Sequence, residues 1–163
     1  DRTGTADVVV TATSTGSSNT SDLALVDASG NKIDGIKAVT GTKPVTEIKY
    51  TNLVAGTYSI IAPKDGENNR GVRVLSAVVT EIAAAVVTSD YTFDASAETA
   101  ITTAEKKKAI ASGKYGTEGY FTLSGTVTRG NSDTFSAELA KGADDKEEGA
   151  LTFTVTGLSL IHI

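Results

Sequence analysis

An all-β fold, an antiparallel β-sandwich or jelly roll, is what this chain predicts, and three observations predict it. Short apolar segments alternate with polar residues at a period of two, from residues 8–13 near the start to residues 150–156 near the end. These segments are rich in Thr, Val and Ile, whose branched Cβ packs well on a pleated surface and crowds a helix. Clusters of Gly, Asn, Asp and Ser recur between them, and these are turn-forming residues. About ten such strands, with at most one short helix, is the pattern of a sandwich.

Taken in order, Val8, Val10 and Ala12 share one face of a first strand, with Val9, Thr11 and Thr13 on the other. Residues 14–21 read as a Ser/Thr/Gly/Asn loop. Residues 23–26 form a second strand, ended by a turn at 27–31 in which Gly30 and Asn31 tolerate positive φ. Residues 32–38 form a short strand with Ile33 and Ile36 inward. Strands follow at 47–51 and 57–62, where Tyr58 and Ile60 alternate, then a polar loop at 63–69 and a long strand at 72–81. The Ala-rich stretch 82–87 reads equally as a linker or a strand continuation. Beyond it, strands are expected at 90–94, 119–125, 133–139 and 150–156. Residues 102–112 are the one helical segment, with Thr103 as N-cap and Gly113 after its end.

The chain has 163 residues, enough for one good-sized domain or two small ones. With no Cys, it offers no disulfide framework, thiolate metal site or cysteine nucleophile. A net charge of −5 opposes nucleic-acid binding, which needs a basic face for the phosphates. No apolar run approaches the roughly 20 residues of a membrane span, and no basic-then-apolar leader opens the chain. Two readings compete for residues 158–163. Leu158, Leu160 and Ile161 suit a last edge strand; alternatively, the six-residue string is the translation of a common sequencing-library adapter end, and so is not native. His162, the single histidine, lies in that tail.

Without a second histidine or any cysteine, neither a Ser-His-Asp or Cys-His arrangement nor a His/Cys zinc site can be assembled. The 20 acidic residues fall mainly in turns and charged loops, where solvation accounts for them. No enzymatic activity is therefore expected of this chain. No cofactor is expected either, although two oxygen-rich segments would suit a structural calcium ion: Asp65 to Asn69, and Asp144, Asp145, Glu147 and Glu148. The best binding candidate is the loop bearing Lys64, Asn68, Asn69, Arg70 and Arg73. Arg presents a rigid fork of donors, and Asn offers both donor and acceptor. Against that stands a structural reading, in which Arg70 pairs with Asp65 or ties loop carbonyls. Aromatic rings are the other route to sugars; among the tyrosines, Tyr58 and Tyr91 are expected in the core and Tyr115 in an exposed loop.

Several segments carry a resemblance: residues 9–21 (VVTATSTGSSNTS), 25–31 (LVDASGN), 53–60 (LVAGTYSI) and 69–74 (NRGVRV), then 90–96 (DYTFDAS), 120–123 (YFTL) and 151–157 (LTFTVTG). Together they resemble the β-sandwich accessory modules of bacterial pectate lyases and related polysaccharide-degrading enzymes. In those modules the DYTFD-like strand comes first and the NRG strand last, the reverse of the order here. The resemblance therefore implies that residues 1–82 are the C-terminal half of one module, 83–88 a linker, and 89–157 the N-terminal half of the next. Residues 154–157 would run naturally into residues 5–9, so the halves are expected to combine into one circularly permuted sandwich.

The resemblance further implies a non-catalytic carbohydrate-binding module for an attached enzyme, acting outside the cell on a plant-cell-wall-type polysaccharide. A cationic loop would suit an acidic one such as polygalacturonate. The implied partners are that polysaccharide and the neighbouring domains of the parent chain, with the module itself monomeric. The competing expectation is a spacer or adhesin-like sandwich without a ligand.

Overall fold

The computed structural model of the chain describes residues 4–16, 19–41, 45–68, 70–82, 88–94, 113–115, 119–124, 126–129, 135–141 and 147–156. The first half supplies β1 (Thr5–Ser14), β2 (Ser21–Asp27), β3 (Lys32–Val39), β4 (Thr46–Leu53), β5 (Gly56–Ile61) and β6 (Val72–Ile82). The second supplies β7 (Thr88–Asp94), β8 (Gly113–Tyr115), β9 (Phe121–Ser124), β10 (Thr126–Arg129), β11 (Phe135–Lys141), β12 (Glu147–Glu148) and β13 (Ala150–Val155). No α-helix occurs among the described residues. The expected helix at 102–112, the charged run at 144–145 and the tail at 158–163 lie outside them.

These strands make two antiparallel sheets, and the protein is an all-β sandwich. One sheet runs β10-β11-β6-β1-β4, with β7 also on β6 and β12 on β11; the other runs β3-β2-β5-β13-β9-β8. The outer edge of β6 is shared: Val72–Val74 pair with β11, and Ser76–Ile82 with β7. Residues on both sides of 83–87 contribute to both sheets, through β6 with β7 and β11 in one and β5 with β13 in the other. Thr88, placed in the linker by sequence, already belongs to β7.

The core lies between the sheets and is built from the inward set of each strand. Val8, Val10 and Ala12 on β1, Ile48 and Tyr50 on β4, and Val72, Val74, Ala77 and Val79 on β6 face Leu23, Leu25, Ile60, Leu123, Leu151 and Phe153 of the other sheet. Phe93, Phe121 and Phe153 meet across the layer, with ring centroids 5.9–6.0 Å apart in tilted geometry, the arrangement the ring quadrupoles favour.

Irregularities in three ladders interrupt the simple alternation, one of them where Val8 pairs with Tyr50 but Ala6 with Leu53. Thr11 pairs with Ser76 but Ala12 pairs with Val74, so Leu75 is an extra residue in β6. Inward positions change there from 72 and 74 to 77, 79 and 81. On β3, Ala24 pairs with Ile36 and Leu25 with Ile33, leaving Asp34 and Gly35 as a bulge with φ of 54° and 72°. Ile36, expected inward, lies outward with 37% of it exposed, on the opposite face from Ile33, as the odd separation of the two residues requires.

Candidate functional site

The loop between β5 and β6 is the segment that sequence singled out, and strand residues on either side hold its shape. Gly66 N–H closes a turn onto the Pro63 carbonyl at 3.3 Å. Asp22 on β2, only 6% exposed, accepts from Asn68 N–H at 2.7 Å and from Asn68 Nδ2 at 2.9 Å. This bidentate acceptance by a carboxylate is a strong form of hydrogen bond. Gly66 passes so close to Asp22 that an added Cβ would sit 2.8 Å from the Asp22 Cβ. At the far end of the loop, the Gly71 carbonyl accepts from Ser21 Oγ at 2.8 Å and Thr15 N–H at 3.1 Å. Ser21 spends its one proton there, so Ser14 donates in the buried Ser14–Ser21 pair at 2.6 Å.

Between this loop and β3 lies an open cleft of about 380 Å³, lined by Asp22, Ile36, Ala38, Asp65, Glu67 and Asn68. Two apolar side chains from the bulged edge strand face three acids and one amide. Lys32 on β3 bonds Asp65 at 2.8 Å, and this contact holds the Asp65 carboxyl below its usual range. Asp65 is thus taken by Lys32, the role sequence had offered to Arg70. Among the described residues, no group of three or more His, Asp or Glu is placed to hold a metal ion.

The residues proposed from sequence do not converge. Lys64 and Arg70 are exposed on the loop, and Asn68 is tied to Asp22. Asn69 lies outside the described residues. Arg73 sits on β6 between the inward Val72 and Val74, so it faces outward, at the ladder position opposite Thr13 and Glu138. Tyr115 is on β8 rather than in a loop, at the opposite edge of its sheet from β3. Five strand spacings of ~4.8 Å, about 24 Å, separate those two edges. Asp22, Ile36 and Ala38 in the lining, and Lys32 as the partner of Asp65, were missed, because nothing local in strand sequences shows that they lie beside a loop much further along the chain.

At the other end of the sandwich is a second polar cluster. Glu81 on β6 is 1% exposed and accepts from Tyr120 Oη at 3.1 Å, and from Thr156 N–H and Oγ1, each at 2.8 Å. Tyr120 stacks on Tyr91 with centroids 3.9 Å apart. Burial, with the Glu81 carboxylate beside it, pushes the Tyr120 phenol well above its usual range. Tyr91, expected in the core, is half-buried.

The fold and site define a β-sandwich with a loop-built cleft. Compared with known proteins, the chain matches no family model, no curated protein and no solved structure.

Proposed function

We propose that the chain is a non-catalytic carbohydrate-binding module that takes a plant-cell-wall-type polysaccharide, outside the cell, for an attached enzyme. The observation that carries this reading is the cleft beside the clamped β5–β6 loop. Ile36 and Ala38 offer apolar surface for the CH faces of a sugar, and Glu67 and the loop offer hydrogen-bonding groups for its hydroxyls. Three acids line that cleft, so a neutral polysaccharide fits it better than polygalacturonate, despite the exposed Lys64 and Arg70.

A second reading, a ligand-free spacer, is favoured by one specific observation. Two of the lining acids are already engaged within the chain, Asp22 by Asn68 and Asp65 by Lys32. Affinity electrophoresis against neutral and acidic cell-wall glycans separates the two. Glycan binding predicts retardation in a neutral polysaccharide, weakened roughly tenfold by Glu67→Ala, the worth of one hydrogen bond to a charged group. A folded protein that no glycan retards is a spacer.

A further inference from the structure

β4 ends its sheet: it pairs with β1 on one side, and no described strand lies on the other. Such an edge carries backbone N–H and C=O groups without ladder partners, a template for a further strand. β3 ends the facing sheet on the same side. Its Asp34-Gly35 bulge, with φ of 54° and 72°, interrupts that second edge and spoils it for pairing.

The edge of β4 is regular from Thr46 to Tyr50, which pair in step with Ala12 to Val8. Beyond Tyr50 the register shifts and Asn52 takes a φ of 58°, so the regular stretch stops there. Ile48 is at its centre. Ile48 and Tyr50 point into the core, while Glu47 and Lys49 are exposed on the outer face. Among the described residues Glu47 has no ion-pair partner. Lys49 has a loose one, Asp7 at 3.5 Å, and 59% of its side chain stays exposed.

Residues directly opposite in an antiparallel pair point to the same face. Two copies of β4 that keep their cores on one side therefore set Glu47 and Lys49 against one another's outward positions. A register that puts Glu47 against the partner's Glu47, or Lys49 against the partner's Lys49, sets like charges opposite and is disfavoured. The register centred on Ile48 puts Glu47 against the partner's Lys49 and Lys49 against the partner's Glu47. It also matches Thr46 with the partner's Tyr50, and so uses the whole regular stretch. Val45, 48% exposed just before β4, is then covered by the end of the partner's strand.

We propose that this chain self-associates through β4, two copies joining edge to edge about a two-fold axis at Ile48 into one continuous antiparallel sheet. The partner is a second copy of this chain, in place of the monomer that the resemblance implies. The contact is small and polar, so the dimer is a transient one, with a Kd in the micromolar-to-millimolar range. It is independent of the glycan reading, whose cleft is lined from β2, β3 and the β5–β6 loop.

Sedimentation velocity at rising concentration of the whole chain is the test, and the wild type is expected to pass from monomer to dimer. Glu47→Lys and Lys49→Glu should each weaken the dimer by roughly tenfold or more, since each sets like charges opposite at two places. Mixing these two variants in equal amounts restores opposite charges at both places and should restore association. The double variant Glu47→Lys/Lys49→Glu keeps the net charge of −5 and should dimerise like the wild type. A wild-type chain that stays monomeric at millimolar concentration would overturn the proposal and leave the edge to a strand of another protein. A dimer that Glu47→Lys does not weaken uses another surface, and this too would overturn it.

Discussion

Tyr50 brings a phenol into a core of aliphatic side chains, and its hydroxyl reaches the Leu25 backbone without a well-formed hydrogen bond. Burial, reinforced by the charge of Asp34, pushes its pKa up to about 12. Raised above the ordinary value near 10, the folded state holds this proton more tightly than the unfolded chain does. The resulting stability is complete below about pH 10 and lost as pH rises towards 12, on the order of 2–3 kcal/mol. Urea denaturation at pH 9, 10 and 11 should show a falling midpoint. Tyr50→Phe should reduce that fall, to which Tyr120 also contributes, and add about 1 kcal/mol at neutral pH, since it removes a poorly satisfied buried hydroxyl. Glu81 is the opposite case, a buried carboxylate with three donors. Glu81→Ala should cost about 2–3 kcal/mol by denaturant titration, because Tyr120 and Thr156 lose their acceptor. That Tyr58 is buried was legible in its alternation with Ile60. The role of Glu81 was not: the residue ends an apolar strand, and its partners lie 39 and 75 residues away.

At the level of elements, alternation placed nearly every first-half strand to within two or three residues. It failed where a strand carries extra residues. The bulge at Leu75 lets Val72 and Val74 share the core with Ala77 and Val79, although the two pairs have opposite parity. Just beyond the Asp34-Gly35 bulge, Ile36 lines the cleft. A bulge is set by the partner strand, so a single strand's pattern does not reveal it. The β5–β6 loop shows the same dependence. Its Asn and Gly residues mark a loop in sequence, but its shape comes from Asp22, a strand away. Gly66→Ala would drive a Cβ against Asp22 and displace the carboxylate that holds Asn68. The expected cost is about 1–3 kcal/mol in urea, together with weaker glycan retardation. An unchanged urea midpoint would show that the clamp yields without cost.

Across the whole molecule, the pairings that close the sandwich are remote in sequence; Ser59 and Thr152 bond at 2.8 Å although 93 residues separate them. All-β topologies with such non-local contacts fold in roughly milliseconds to seconds, because loop-closure entropy is lost before those contacts form. Stopped-flow refolding should fall in that range, and a microsecond main phase would mean that local structure dominates. Charge acts on this scale as well, since a net −5 and an acidic cleft turn the ligand expectation from acidic glycans towards neutral ones. By itself, the sequence determined the strand class, the inward faces of most first-half strands and the positions of the turns, because period-two burial and turn chemistry are local properties. Only the tertiary structure decided which strands pair, where the bulges fall, that Asp65 goes to Lys32, and that Glu81 clasps Thr156. Each of those depends on which distant segment supplies the partner, and no local pattern encodes that.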